Sequence, residues 1–287
     1  MGEAASRPSG ALPLVALGAS LVSQNLGAAI AKSLFPLVGV EGMTALRIGL
    51  SALLLLAFWR PWRAPVAGRD VVNVAIYGAM LGGMNLCIYQ AFGRIPIGIA
   101  TAIETTGPLV VVLAASRRAL DVAWVALALA GLALLLPLAS DRELDPLGLA
   151  FAFGAAASWA LYIVFGKRVS TLASGQAVSL GMLVAALFAV PIGVAHAGAA
   201  MAVPTTLLAG LGVALLSSAV PYSLEMAALR RMPRHVFGIL VSATPAVGAA
   251  CGALVLGERL GGLQWLAIAC IVTASAGGAA TGRDDLG

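Results

Sequence analysis

The sequence predicts an all-α integral membrane protein with ten transmembrane helices in two inverted five-helix repeats and both termini cytoplasmic. Three observations predict it. The 287-residue chain is 61% hydrophobic and only 10% charged, where a soluble domain carries about 25% charged residues. Ten apolar segments each approach the roughly 20 residues that a spanning helix needs. Polar landmarks of the first half also recur in the second half at a fixed offset.

The spans fall at about 12–34, 41–59, 70–92, 96–115, 120–138, 146–166, 176–195, 206–229, 235–256 and 261–280. None alternates polar with apolar residues, which argues against a β-barrel. Turn residues mark the connectors: Arg60-Pro61-Trp62-Arg63, Arg94-Ile95-Pro96, Asp145-Pro146 and Met232-Pro233. The first apolar run is long and ends without a cleavage signature, so it reads as a retained span. The organisation expected is a cytoplasmic tail (1–11), a first repeat (12–138), a periplasmic linker (139–145), a second repeat (146–280) and a cytoplasmic tail (281–287).

Basic residues set the orientation. With the N-terminus inside, the cytoplasmic segments hold Arg7, Arg60, Arg63, Arg69, Arg117, Arg118, Lys167, Arg168, Arg230, Arg231, Arg234 and Arg283. The opposite face holds Lys32, Arg94, Arg142 and Arg259. Twelve against four is the positive-inside asymmetry. The net charge of +5 therefore reports topology and not nucleic-acid binding. Asp141, Glu143 and Asp145 cluster on the outer side, where acids carry little topological weight.

The repeat is visible at 94–108, RIPIGIATAIETTGP, and 231–245, RMPRHVFGILVSATP. Arg94, Pro96 and Pro108 return as Arg231, Pro233 and Pro245, each 137 residues later. Lys32 matches Lys167, Leu120 matches Leu260 and Trp124 matches Trp265. Five spans is an odd number, so the second copy starts from the other side of the membrane. Inverted repeats of this kind are associated with secondary transporters whose sites lie between the halves near the midplane.

One segment concentrates costly features. Glu104 stands in an apolar run, followed by Thr105, Thr106, Gly107 and Pro108. An ionised acid at the centre of a span costs roughly 2.5–3.5 kcal/mol on insertion scales. Glu104 lies eight residues past Pro96, about 12 Å into a core about 30 Å thick. A carboxylate in a low-dielectric cavity can hold either a proton or a cation, so Glu104 is the leading candidate for both substrate binding and proton coupling. Pairing to Arg47 or to a backbone donor is the structural alternative.

Arg47 lies within the second span. It suits bidentate binding of a carboxylate, a buried ion pair, or a side chain that snorkels outward. Glu225 in the eighth span is the second proton-coupling candidate, or else the partner of Arg230 or Arg231. Gln24, Asn25 and Asn85 are amides within spans, able to bind a substrate or to tie helices together. Trp159 and Tyr162 suit a cavity wall or ordinary aromatic packing. Gly107, Pro108, Pro221 and Pro245 are candidate helix breaks, and Gly82-Gly83 a candidate hinge. Lys32 and Lys167 end their spans and read as snorkelling side chains. Cys87, Cys251 and Cys270 show no ligand spacing and read as buried thiols, and His196 and His235 are isolated. No metal or cofactor is expected.

AKSLFPLVG (31–39), TALRI (44–48), LGGMN (81–85), the Glu104–Pro108 segment, SRR (116–118), PYSLEMAAL (221–229) and LGERL (256–260) together resemble the bacterial threonine/homoserine exporters, EamA-type members of the drug/metabolite transporter (DMT) superfamily. The resemblance runs from about 12 to 280. It implies the ten-helix inverted-repeat fold, location in the bacterial inner membrane, and efflux of small amino acids driven by protons. It also implies that Arg47, Glu104 and Glu225 are family positions. One departure stands out: the family often carries Glu directly before the proline at 245, and this chain has Thr244.

The expected partners are a small-molecule substrate (an amino acid), protons and the lipid bilayer, with no nucleic acid; monomer and homodimer both stay open. Export of another metabolite or of a cationic drug is the main rival, although few aromatic partners were evident for a quaternary cation. An intramembrane enzyme lacks a metal-binding HExxH sequence and a nucleophile–base pair. A purely structural scaffold has no use for an acid at the depth of Glu104.

Overall fold

The computed structural model describes residues 11–66, 68–114, 119–135, 144–169, 172, 174–229 and 234–281. Arg7, Arg117, Arg118, Asp141, Arg142, Glu143, Arg230, Arg231, Met232, Pro233 and Arg283 lie outside them. The described residues form twelve α-helices: α1 (Ala11–Ser33), α2 (Phe35–Trp59), α3 (Gly68–Phe92), α4 (Ile97–Ala114), α5 (Ala119–Leu135), α6 (Pro146–Gly166), α7 (Ser174–Ala197), α8 (Pro204–Ala214), α9 (Val220–Leu229), α10 (Arg234–Val241), α11 (Thr244–Leu256) and α12 (Gly262–Thr281). Among them are six helices long and apolar enough to cross a membrane and four shorter apolar ones. The eighth predicted span comprises α8, a π-helical turn at Leu215–Ala219 and α9. The ninth comprises α10 and α11, so twelve helices make ten predicted spans.

Local chemistry sets the ends. Asp145 caps α6 by accepting from the Leu147 N–H at 2.8 Å, and Pro146 occupies the first turn, where no N–H is needed. Arg60 ends α2 in a left-handed conformation and donates its N–H to the Leu56 carbonyl at 2.9 Å; Pro61 then prevents continuation. Gly257 closes α11 at φ 66°. Inside α2, Gly39 sits at φ 70° and ψ 173°, a conformation that few other residues tolerate, and the helix kinks there.

The helices pair as two exchangeable halves. α2 lies along α7, α4 against α11 and α5 along α12. α3 packs on α6 as α8 and α9 pack on α1, and α4 packs on α6 as α11 packs on α1. Those pairings suit a pseudo-two-fold relation between spans 1–5 and 6–10. α4 runs through the middle, with Ile97, Ile99, Ala100, Ala102 and Ile103 almost inaccessible. The outside is the reverse of a soluble protein: Leu254 is 86% exposed while Arg47 is 6% exposed. The apolar exterior faces lipid, and the polar groups are inside.

Several sequence expectations meet a different outcome. α4 remains helical through Gly107 and Pro108 to Ala114. Gly107 serves packing: a Cβ there would overlap the Ala156 carbonyl on α6. Pro108 removes the N–H that would serve the Glu104 carbonyl, without ending the helix. Gly82 and Gly83 are likewise inside continuous α3, and Gly82 makes room for Phe188 and Ala185. Pro221 falls just after the π turn, in the first turn of α9. Pro245 stands at a true break, in the first turn of α11 after Ser242 and Ala243.

Lys32 is not a free snorkelling residue. Its ammonium meets Glu258 Oε1 at 2.7 Å and donates to the Ile95 carbonyl at 2.9 Å. Glu258 Oε2 accepts the Ile97 N–H at 3.0 Å, satisfying one of the open donors at the start of α4. Lys167 is also engaged by its surroundings.

Candidate functional site

Helices from both halves enclose a cavity of about 420 Å³. α1 contributes Gln24 and Asn25, α2 Arg47, α3 Asn85 and Tyr89, and α4 Thr101 and Glu104. α6 adds Trp159 and Tyr162, the π turn Ser217, α9 Glu225, α10 Phe237 and α11 Thr244. Every residue singled out from the sequence for substrate binding or proton coupling is therefore on one wall or another of this space. The helix-break candidates Gly107, Pro108, Pro221 and Pro245 are not.

Glu104 lies about two turns into α4. It is half-buried, and its carboxylate has neither a hydrogen bond nor an ion pair among the described residues. The neighbouring hydroxyls are committed elsewhere. Thr101 donates to the Ile97 carbonyl at 2.9 Å, Thr105 to that of Thr101 at 2.7 Å, and Thr106 to that of Ile103 at 2.6 Å. A carboxylate at this depth without a protein donor is a costly arrangement that a bound cation or a proton relieves.

Arg47 is held without a carboxylate. Its Nη1 donates to Asn85 Oδ1, its Nη2 approaches the Ser217 carbonyl at 3.5 Å, and its guanidinium carbon lies 5.0 Å from the centre of the Tyr89 ring. Asn85 in turn donates to the Leu81 carbonyl at 2.7 Å, which fixes its amide orientation. The acid and the base thus face a shared space without forming an ion pair, so the structural alternative of a Glu104–Arg47 pairing is not made among the described residues.

Glu225 accepts from the Ser20 hydroxyl at 2.9 Å, bridging α9 and α1. Asn25 turns its amide nitrogen to the Leu21 carbonyl at 2.8 Å. Tyr162 accepts from Tyr77 at 2.8 Å, with the two rings stacked 4.7 Å apart, so it both packs and lines the cavity. Thr244 donates to the Val241 carbonyl at 2.6 Å. Cys251 is buried, Cys87 and Cys270 are half-buried, and all three are free thiols. Among the described residues no group of three or more His, Cys, Asp or Glu could hold a metal.

Tyr89, Ser217 and Phe237 line the cavity without standing out in the sequence. A tyrosine or phenylalanine in an apolar run reads as packing. The usable signal for Tyr89 is its place four residues after Asn85, on the same face of α3.

Comparison with known proteins follows the same line. A model described as the EamA-like transporter family matches residues 146–277. The chain is 47% identical to the threonine/homoserine exporter RhtA of Escherichia coli K12, over 96% of this chain and 93% of the relative. The chain belongs to the EamA-like transporter family, within the DMT superfamily. Another EamA-type relative, RhtA of Salmonella typhimurium LT2, is 47% identical over 95% of this chain and 92% of its own length. The uncharacterized inner membrane transporter YedA of E. coli K12 is 28% identical over 83% and 82%. A solved crystal structure shares the fold of this chain at a TM-score of 0.62 and 22% identity, covering 94% of this chain and 97% of that one. This EamA-type chain is a multi-pass protein of the bacterial inner membrane.

Proposed function

We propose that the chain is a secondary exporter of small amino acids of the threonine/homoserine type, working by proton antiport with alternating access. The observation that carries this reading is the pair of opposite charges, Glu104 and Arg47, facing one cavity without neutralising each other. A zwitterion supplies the complement to both. Its ammonium meets the Glu104 carboxylate and its carboxylate meets the Arg47 side. Gln24, Asn25 and Asn85 add polar contacts, and Trp159 and Tyr162 form apolar walls. The relatives named as threonine/homoserine exporters support the same substrate class.

In this scheme the substrate enters from the cytoplasm, with both termini on that side. Protonation of Glu104 from the periplasm displaces the ammonium, and Glu225, at the α1–α9 contact, passes protons. The halves, about 12–138 and 146–280, rock about the site between inward- and outward-open states. The role is that of a carrier and not of an enzyme.

Glu104→Gln tests the scheme in proteoliposomes. The variant is expected to lose proton-driven threonine and homoserine flux while retaining its fold, because Gln has nearly the same shape. Undiminished proton-coupled flux would remove Glu104 from the mechanism.

A second reading is favoured by one observation. Phe92, Tyr89, Trp159, Tyr162 and Phe237 all border the cavity, more aromatic surface than the sequence suggested. Aromatic faces suit organic cations, so the rival cargo is a cationic drug or another metabolite. The buried Arg47 argues against it. A counterflow panel containing amino acids and quaternary amines separates the two.

A further inference from the structure

Three buried polar atoms on the Arg47 side of the cavity have no hydrogen-bond partner: Arg47 Nε, Tyr89 Oη and Ser217 Oγ. They belong to residues 6%, 2% and 1% exposed, all of which line the cavity. They are also neighbours. The Arg47 guanidinium lies over the Tyr89 ring and reaches toward the Ser217 carbonyl, and the Ser217 hydroxyl faces the Tyr89 phenol without meeting hydrogen-bond geometry. Leaving several donors unmade in one place is destabilising, since each buried donor without a partner carries its full desolvation penalty.

We infer that Arg47, Tyr89 and Ser217 form one receptor for the substrate's carboxylate, with Asn85 orienting the arginine. The inference rests on the zwitterion reading above and deepens it. All three groups are donors toward an anion: a guanidinium N–H, a phenol O–H and a hydroxyl O–H. A carboxylate has two oxygens and about four acceptor positions, enough to satisfy all three. The receptor spans both halves of the molecule, because Arg47 and Tyr89 come from α2 and α3 while Ser217 comes from the second half.

The π turn is what brings Ser217 there. Its extra residue per turn rotates the side chains away from an ordinary helical register, and such turns mark functional sites. α1 approaches it closely, and a Cβ at Gly27 would overlap the Ser217 hydroxyl. The three donor atoms are themselves shielded from open space. A carboxylate therefore reaches them through a small shift of the π turn, so that binding remodels the contact between the halves.

Competition against labelled threonine counterflow in proteoliposomes tests the receptor, using threonine and threoninamide as unlabelled competitors. Threoninamide keeps the ammonium and the side chain but lacks the carboxylate. Wild-type protein is expected to prefer threonine by roughly a hundredfold or more, since several hydrogen bonds to a charged group are at stake. Tyr89→Phe and Ser217→Ala, each removing one hydroxyl, are expected to narrow that preference by about tenfold, the effect of one hydrogen bond to a charged group. A purely structural role would weaken both competitors alike and leave their ratio unchanged, and an unchanged ratio in both variants overturns the receptor. Wild-type protein that carries no threonine at all instead overturns the amino-acid reading, and the receptor falls with it.

Discussion

At the scale of single residues, Glu104 and Arg47 could be picked from the sequence because a charge within a span is costly wherever it points. Tyr89 and Ser217 could not, since a tyrosine or a serine among apolar residues is ordinary in a membrane helix. Their meaning comes from position: α3 places Tyr89 beside Asn85, and the π turn aims Ser217 at the same space. Thr244 makes a further residue-level test. It borders the cavity, and among the described residues its hydroxyl bonds back to the Val241 carbonyl. Thr244→Glu is expected to leave the fold intact and to change the pH profile of transport by adding a third acid to the cavity that Glu104 and Glu225 already line. A profile identical to wild type would separate position 244 from proton coupling.

At the scale of elements, the ten predicted spans agree with the helices to within a few residues for most ends, because length and hydropathy are local properties. The prolines and glycines were harder to interpret. Whether they break a helix depends on what lies opposite, and the sequence does not display that. Gly107 illustrates the point: its neighbour Pro108 suggested a hinge, yet the glycine is there because the Ala156 backbone approaches. Gly107→Ala is therefore expected to push α4 from α6 and to destabilise by about 1–3 kcal/mol, the usual range for overpacking. Pro108→Ala restores an N–H for the Glu104 carbonyl and introduces no clash of that kind, so it should be neutral or stabilising. Thermal unfolding of the two variants in the same detergent checks the pair; equal melting temperatures would contradict the packing account.

At the scale of the whole molecule, the internal duplication was legible from matched prolines and basic residues, and the exchange of helix pairs agrees with it. The Lys32–Glu258 contact was not legible, since the partners are 226 residues apart in the chain. It joins the end of α1, the start of α4 and the loop after α11, on the side that the charge asymmetry assigns to the periplasm. Exposed ion pairs contribute up to about 1 kcal/mol, whereas loss of one partner from a buried pair costs about 3–5 kcal/mol. The side chains here are 21% and 12% exposed, so the effect should lie between these limits. Lys32→Met is expected to raise labelling of a Thr101→Cys probe, in a background lacking the native cysteines, by an impermeant maleimide applied from the periplasm. Unaltered labelling would show that this contact does not restrain the outer side.

That clasp also crosses the duplication, since Lys32 belongs to the first half and Glu258 to the second. Any swing of one half away from the other on that rim has to part the two charges and hand each of them to water.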